Sequence, residues 1–460
     1  MERMVTLSEY CSSVRDGTHD SPKQVSDGKF LITSRHINNN EIDFSNAYKI
    51  SETDFIKVNK RSKVDKWDLL MSMIGTVGRL YIVKEEPNYA IKNLALFKIG
   101  DEWRAKYLYY YLGSKPVQDY FEAVANGTSQ HFVGLGYLRN FKVPDWNDNT
   151  LKIIKILNNY DQLIENNNKR IKILEDMAES LYKEWFVRFR FPGHETAEFE
   201  NGIPKGWEYK KFSEVCSYIR GLSYSSEEIE DENAPNLLIN LKNLRDYGGF
   251  RKENYKRYDG SFKKEQIVSK FDLVMAVTEM VQERRIIGYV GLIPSYQENC
   301  VISADLIKLI SDIDNLFLYS MFIYGGASLS FSQYGNGTNV IHLKPNSLKN
   351  VKLLIPNKNL IDNYSKIVRS YFEEIDKLQL QNEILVKERD ALLPRLMSGI
   401  IDVEKMNNHD TQCVVKVVSF PQFRQMFEMK SAARAKEISE EDIKAAYEVY
   451  VNDKNKKNRN

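Results

Sequence analysis

The chain is written twice. Leu7-Ser-Glu-Tyr-Cys-Ser-Ser-Val-Arg15 returns as Phe212-Ser-Glu-Val-Cys-Ser-Tyr-Ile-Arg220, and Val64-Asp-Lys-Trp-Asp-Leu-Leu-Met71 returns as Val268-Ser-Lys-Phe-Asp-Leu-Val-Met275. Asn126-Gly-Thr128 followed by Leu138-Arg-Asn-Phe-Lys142 returns as Asn336-Gly-Thr338 followed by Leu348-Lys-Asn-Val-Lys352. The offsets are 205, 204 and 210 residues, so order is kept and only loop lengths drift. A period this long marks a duplicated domain, since solenoid repeats run roughly 20–50 residues. Two copies of one domain on one chain suggest a ligand read in two halves.

A chain of 460 residues fits two or three domains rather than one core. Its 42% hydrophobic and 28% charged residues are ordinary for a folded globular protein, which argues against a fibrous or disordered class. No apolar run approaches the roughly 18 residues of a membrane span, and no signal-peptide pattern follows Met1, so a membrane-free, cytoplasmic setting is expected. Cys11, Cys216, Cys300 and Cys413 form no CxxC pair, which argues against a disulfide framework or a bound metal. Two of them, Cys11 and Cys216, share a repeat position and read as small buried hydrophobes. A net charge of +2 gives no overall basic signature, so attraction to phosphates would need a local basic face.

Each copy is rich in short β-type runs broken by turn signals. Phe30–Thr33, Trp67–Ile74 and Leu94–Phe97 read as strands, Gly75-Thr-Val-Gly78 as a tight turn, and Arg79–Val83 as the returning strand. Glu102–Leu112 reads as a helix ending before Gly113. Leu237–Asn240, Phe271–Val277 and Gly288–Gly291 repeat the scheme. The expected fold class is therefore α+β, with two tandem globules at residues 1–150 and 205–357.

Between and after the globules the apolar period changes to 3.5. Over Leu151–Phe189 one heptad position carries Leu157, Ile164, Ile171 and Ala178, and another carries Tyr160, Asn167, Leu174 and Leu181. No Gly or Pro interrupts these residues, which predicts an α-helical rod of roughly 60 Å followed by a linker, residues 151–204 together. A second helix, in residues 358–403, places Leu378, Leu385 and Leu392 seven apart, as it does Ile375, Asn382 and Arg389. Two such helices most simply pack against each other; the long globule between them permits parallel or antiparallel packing, and an antiparallel coiled coil, with the copies related by a pseudo-two-fold axis, is expected because it makes more use of a rigid rod. Asn167 and Asn382 both fall on seam positions. Either they meet and fix register and partner, or they face water at a frayed seam.

With these segments in view, the chain resembles the DNA-specificity subunit of type I restriction–modification systems. Asn159–Arg170 leading to Met177–Phe186 is similar to the family's central spacer helix. Gly202-Ile-Pro-Lys-Gly-Trp207 is similar to the entry into its second target-recognition domain, and Leu392–Gly399 followed by Ile401-Asp-Val403 to its carboxy-terminal ending. Phe30-Leu-Ile-Thr-Ser-Arg-His36 resembles a strand-and-loop signature of the recognition domains, with Leu238–Lys242 as its second copy.

The resemblance covers residues 1–403. It implies a prokaryotic, non-catalytic subunit that binds double-stranded DNA and reads one half of a split target with each globule. It also implies that the chain scaffolds two adenine-N6 methyltransferase (modification) subunits and the restriction/translocase subunits. S-adenosylmethionine, ATP and Mg then belong to those partners, and this chain binds no cofactor or metal. Residues 404–460 depart from the family ending; Val414–Phe420 reads as a strand, Ser439–Tyr450 as a capped helix, and the last nine residues as disordered.

Motifs for chemistry are missing from the sequence. There is no GxxxxGK[ST] phosphate loop, no GxGxxG after a strand and no HExxH. An adenine methyltransferase is expected to clamp its flipped base with an Asp/Asn-Pro-Pro-Tyr/Phe motif, and the chain has no Pro-Pro at all. Two other readings remain open: a specificity subunit of a methyltransferase–nuclease system without a translocase, and a coiled-coil adaptor whose globules bind protein.

Base edges are read by Arg and Lys on guanine and by Asn and Gln on adenine, while Ser, Thr and main-chain N–H groups help to hold phosphates. Loops with this chemistry at matching repeat positions are the candidates. The first pair is Ser34, Arg35 and His36 with Lys242 and Asn243. The second is Thr76 and Arg79 with Gln282, Arg284 and Arg285, which lie in an insertion. The third is Thr128, Gln130 and His131 with Thr338, Asn339 and His342. For each pair the competing reading is a solvated turn required by the fold. The copies diverge most in such loops, as in Gly17–Lys23 against Leu222–Glu228, which predicts two unlike half-sites.

Overall fold

In a computed structural model, which describes residues 3–38, 40–126, 131–229, 231, 233–397, 400, 401 and 403, the sequence repeat is a repeat of sheet topology. The chain divides into two compact units. The first comprises Met1–Ile164 together with the residues that begin at Glu383, and the second is Glu165–Asn382.

In the first unit the central antiparallel sheet runs Ser13–Asp16, Leu94–Lys98, Leu69–Ser72, Leu80–Ile82. In the second it runs Ser217–Arg220, Leu306–Ile310, Leu273–Ala276, Val290–Leu292, in the same order and sense. A smaller sheet accompanies each. Lys29–Ile32 lies parallel to Tyr89–Ile91, and Asn236–Ile239 lies parallel to Cys300–Ile302. The expected α+β class is observed in both copies.

Successive residues of a strand face opposite sides, so a sheet covered on both faces divides its side chains between two cores. Leu69, Met71 and Phe97 pack with helical residues such as Leu108 and Leu157, whereas Leu70, Leu94 and Leu96 pack with Ile32 and Ile91 of the smaller sheet. The second copy does the same: Leu273, Met275 and Leu309 join the helices, and Val274, Ala276 and Leu306 join Leu237 and Ile302. Every residue of Leu69–Ser72 and Leu273–Ala276 is buried, which explains why these strands read as unbroken apolar runs. Cys11 and Cys216 are buried as the repeat suggested, and burial pushes both thiols up to about 12.

Two strand boundaries need correction. Trp67 and Phe271, taken from the sequence as the first strand residues, both have left-handed backbones, with φ of 64° and 67°. Their N–H groups donate to Val83 O at 2.7 Å and Ile293 O at 2.8 Å, closing the same turn in each copy. Asp68 and Asp272, the next residues, each hold a strand lysine, Lys98 and Lys308. The helix expected to stop before Gly113 also includes that glycine and spans Glu102–Gly113, with Asp101 accepting the Arg104 N–H at 2.9 Å.

The first long helix is α-helical over Asp148–Tyr182 only. Lys183–Val187, expected to continue the rod, form a π turn. The wider turn lets both neighbours Trp185 and Phe186 enter the second unit's core, where Phe186 meets Trp207, Phe317 and Tyr364. Trp207 belongs to the Gly202–Trp207 segment, whose Gly202 forms, with the preceding Asn201, the left-handed corner of the Phe199–Pro204 hairpin.

The second long helix spans Lys358–Met397, starting well before the heptads that revealed it. Within the second unit the helices run antiparallel: Asn167 lies opposite Asn382, Arg170 opposite Glu374, and Ala178 opposite Tyr364. Ile171 and Leu378 are buried along this seam, with Leu174 and Leu181 packed beside them. In the first unit Leu157 and Leu385 are buried, with Ile164 and Leu392 against the same core.

The two seam asparagines meet. Asn167 Nδ2 donates to Asn382 Oδ1 at 2.9 Å, and Asn382 Nδ2 donates onward to Asn168 Oδ1 at 2.8 Å. Asn167 is buried, so an apolar residue opposite either amide would leave polar atoms unpaired, which is how such a pair selects one register.

Candidate nucleic-acid interface

The first candidate pair is a short 3₁₀ turn placed directly after the inner strand of each smaller sheet, Ser34–His36 in copy one and Leu241–Asn243 in copy two. His36 Nδ1 accepts the Thr33 N–H at 3.0 Å, and Asn243 Oδ1 accepts the Asn240 N–H at 2.9 Å. Both side chains are buried, so the fold uses two different residues for one task, capping the turn from its third position. Arg35 and Lys242 stand at the same place in the turn and are exposed, while Ser34 is half-buried.

Burial holds the His36 imidazole below its usual pKa, against the opposing effect of a backbone hydrogen bond at Asn46. A histidine in an unfolded chain takes up its proton below about pH 6.5, whereas the folded ring resists protonation. The unfolded state therefore binds more protons in that window, and this contribution to stability is lost as pH falls through it. His36→Asn, the residue copy two uses, is expected to keep the cap and flatten the slope of melting temperature against pH between 7.5 and 5. A variant with an unchanged slope would assign it to other groups.

In copy one the second candidate loop is tied together by Ser72. Its hydroxyl donates to Thr76 O at 2.6 Å and accepts the Arg79 N–H at 2.8 Å, across a turn whose Gly75 and Gly78 have φ of 75° and 89°. Thr76 is exposed at the tip. The Arg79 guanidinium donates to Ile37 O at 3.2 Å, which draws the first loop towards the second. Arg79 also lines a cleft of about 350 Å³ with Asn38, Asn40, Gln118 and Arg389. Arg389 is held there by Asp161 at 2.7 Å and Asp390 at 2.8 Å. Asn38, Asn40 and Gln118 were not singled out from the sequence, because no spacing connects them.

The third loop joins the same end of the unit. Gly75 N–H donates to His131 O at 3.1 Å, and Val133 N–H to Met73 O at 3.0 Å, with His131 exposed beside the glycine turn. Thr128 and Gln130 lie outside the described residues.

Copy two reproduces this convergence with a longer second loop. Four residues separate Met73 from Gly78, but ten separate Val277 from the matching Gly288. Glu279, buried at 3% exposure, closes the longer loop by accepting the Ile286 N–H at 2.7 Å and the Ile287 N–H at 3.3 Å. Gln282 donates its amide to Thr338 O, joining the second and third loops. Arg284 has a left-handed backbone, with φ of 52°, and its guanidinium reaches Ser332 O at 3.3 Å and Gln333 O at 3.4 Å. These carbonyls end the helix Ala327–Ser332, where a cation is favoured. Arg285 lies 3.6 Å from Asp246, near the first loop. Thr338, Asn339 and His342 are exposed on the third loop, whose strand Ile341–His342 pairs with Thr278–Glu279.

Three loops therefore meet at one end of each copy, on a scaffold shared by both, while the side chains they carry differ. Residues 5–176 match the family described as the type I restriction modification DNA specificity domain. The first copy is a type I specificity domain. The chain's resemblance to type I specificity subunits, read from its repeats and helices, stands on this match and on similar proteins.

A type I restriction enzyme MjaIX specificity subunit of Methanocaldococcus jannaschii is 26% identical over 317 residues, covering 66% of this chain and 70% of that one. The MjaVIII specificity subunit of the same organism is 24% identical over 368 residues, covering 77% and 84%. Both spans are longer than a single specificity domain. Among solved structures, a type I restriction-modification S subunit from M. genitalium aligns with a TM-score of 0.47 and 14% identity, over 86% of this chain and 96% of that one.

Proposed function

We propose that this specificity subunit reads a bipartite, asymmetric DNA target, one half with each copy, and scaffolds the enzymes that act there. The observation that carries the reading is the convergence, in each copy, of three loops bearing Arg, Lys, Asn, Gln and Thr on one shared sheet scaffold. Such side chains recognise base edges and phosphates, and unlike loops on like scaffolds select unlike half-sites. Arg35 and Lys242, exposed at matching places, are the simplest pair of corresponding readers.

The enzymatic partners in this proposal are two adenine-N6 methyltransferase subunits and the restriction/translocase subunits, in a prokaryotic cytoplasm. S-adenosylmethionine, ATP and Mg act on those partners. No helix among the described residues is long and apolar enough to cross a membrane.

Affinity purification of the chain from its host, combined with sequencing of modified adenines, tests the proposal. Methyltransferase subunits are expected to co-purify, and the modified motif is expected to have two unlike parts. A palindromic motif, or a chain that shows no salt-dependent DNA binding even with its partners, would overturn it. At finer grain, Arg284→Ala should relax one position of the second half-site at a cost of about 1–3 kcal/mol. An equal loss on every sequence would make Arg284 a phosphate contact if the variant melts like the parent, and only the loop's anchor on Ser332 O and Gln333 O if it does not.

A further inference from the structure

The loop that only copy two possesses carries a feature that base reading by polar side chains does not require. At its tip Met280 is 65% exposed and Val281 is 43% exposed, two apolar side chains side by side in solvent. The tip is not loose. Glu279 closes its base by taking two N–H groups, and after the tip Gln282 ties the loop to the third loop and Arg284 ties it to a helix end. Polar groups frame it: Gln282, Glu283 and Arg284 follow it in sequence, and Thr338 and Asn339 lie across the Gln282 bond.

We infer that Met280 and Val281 form a wedge that presses into a base-pair step of the second half-site and unstacks it, an inference that rests on the DNA-reading function proposed above. Apolar side chains such as Met, inserted between base steps, kink a duplex, and the cost of unstacking is offset by the contacts that the bent duplex makes with the protein. A wedge held rigid before binding loses little conformational freedom when it enters. The loop is tied to the third loop through Gln282 and lies beside the first through Arg285 and Asp246, so its apolar tip stands among the loops to which DNA reading is assigned. The four-residue turn of copy one carries a single exposed large apolar side chain, Ile74, and no exposed apolar pair. The distortion is therefore confined to one half of the target.

The test uses the complex purified with its partner subunits and a duplex carrying the motif found by modified-adenine sequencing. 2-Aminopurine, whose fluorescence rises on unstacking, is placed in turn at each step of both half-sites. Apart from the target adenines, which the methyltransferases themselves flip, a several-fold rise is expected at one step, in the second half-site only. Met280→Ser with Val281→Ser, an exposed and polar change, should remove the rise and weaken binding about tenfold. Met280→Leu with Val281→Ile should keep both. Tight, sequence-specific binding with no rise at any step would overturn the wedge while leaving the reading function intact. So would a rise that survives the double-serine change, or a double-serine variant that loses a protein partner but still distorts DNA. Absence of specific binding by the parent complex would instead sink the reading function, and the wedge with it.

Discussion

Replacing Glu279 by alanine is expected to cost recognition of the second half-site about 100-fold, roughly 3 kcal/mol, while the first half-site is still read. The carboxylate is buried, and one of its oxygens takes both the Ile286 and Ile287 N–H groups. Alanine leaves one buried and one half-buried donor without this acceptor, at about 1–3 kcal/mol for the buried one, and the ten-residue loop loses the closure that holds Gln282 and Arg284 in place. Glu279→Gln keeps an acceptor oxygen and should lie close to the parent. The measurement is competition between duplexes altered in one half-site at a time, alongside a melting curve of each variant. A Glu279→Ala complex that modifies the parental motif with undiminished selectivity would show that the loop is positioned by something else. Parallel loss at both half-sites would indicate general unfolding.

That residue also marks where sequence reading stopped. The repeat alone located the paired central strands, because Val64–Met71 and Val268–Met275 keep their order of apolar residues and their aspartates. It did not show that Trp67 and Phe271 would turn left-handed, since that conformation usually selects glycine and here it falls on aromatic residues in both copies. Glu279 lies among other charges in the sequence and is indistinguishable from a surface residue until the loop folds around it. His36 and Asn243 looked like two readers of different chemistry, but what they share is an acceptor atom at the third position of a turn.

The heptads located the seam and both asparagines, while the pairing of one amide with the other depends on how two distant helices align. Trp185 continues one heptad position but Phe186 falls on neither, and that spacing gave no sign of the π turn that aims both rings into the core. Patterns of burial are therefore legible in this chain, and the hydrogen bonds that set loop geometry are not.

The second large effect is expected from Tyr364→Ala, at about 3–5 kcal/mol of the stability of the unit that carries copy two. Tyr364 is fully buried on the second long helix. Its ring lies 5.1 Å from that of Phe186, 6.0 Å from Tyr182 and Trp185, and 6.1 Å from Phe317, so it touches the first long helix, the π turn and the helix Asn315–Ile323 at once. Its hydroxyl donates to Ser320 Oγ at 2.9 Å or Ala178 O at 3.3 Å. Truncation removes one ring from a packed aromatic cluster, opens a cavity that stiff neighbours fill poorly, and leaves these acceptors short of a donor. Tyr364→Phe separates the contributions: it keeps the ring and should cost only about 1–2 kcal/mol. Urea unfolding followed by tryptophan fluorescence reads the difference directly, because Trp185 and Trp207 lie in the same core. A Tyr364→Ala midpoint within about 0.5 kcal/mol of the parent, the range of inert surface changes, would mean that the helices and the second copy are held together elsewhere.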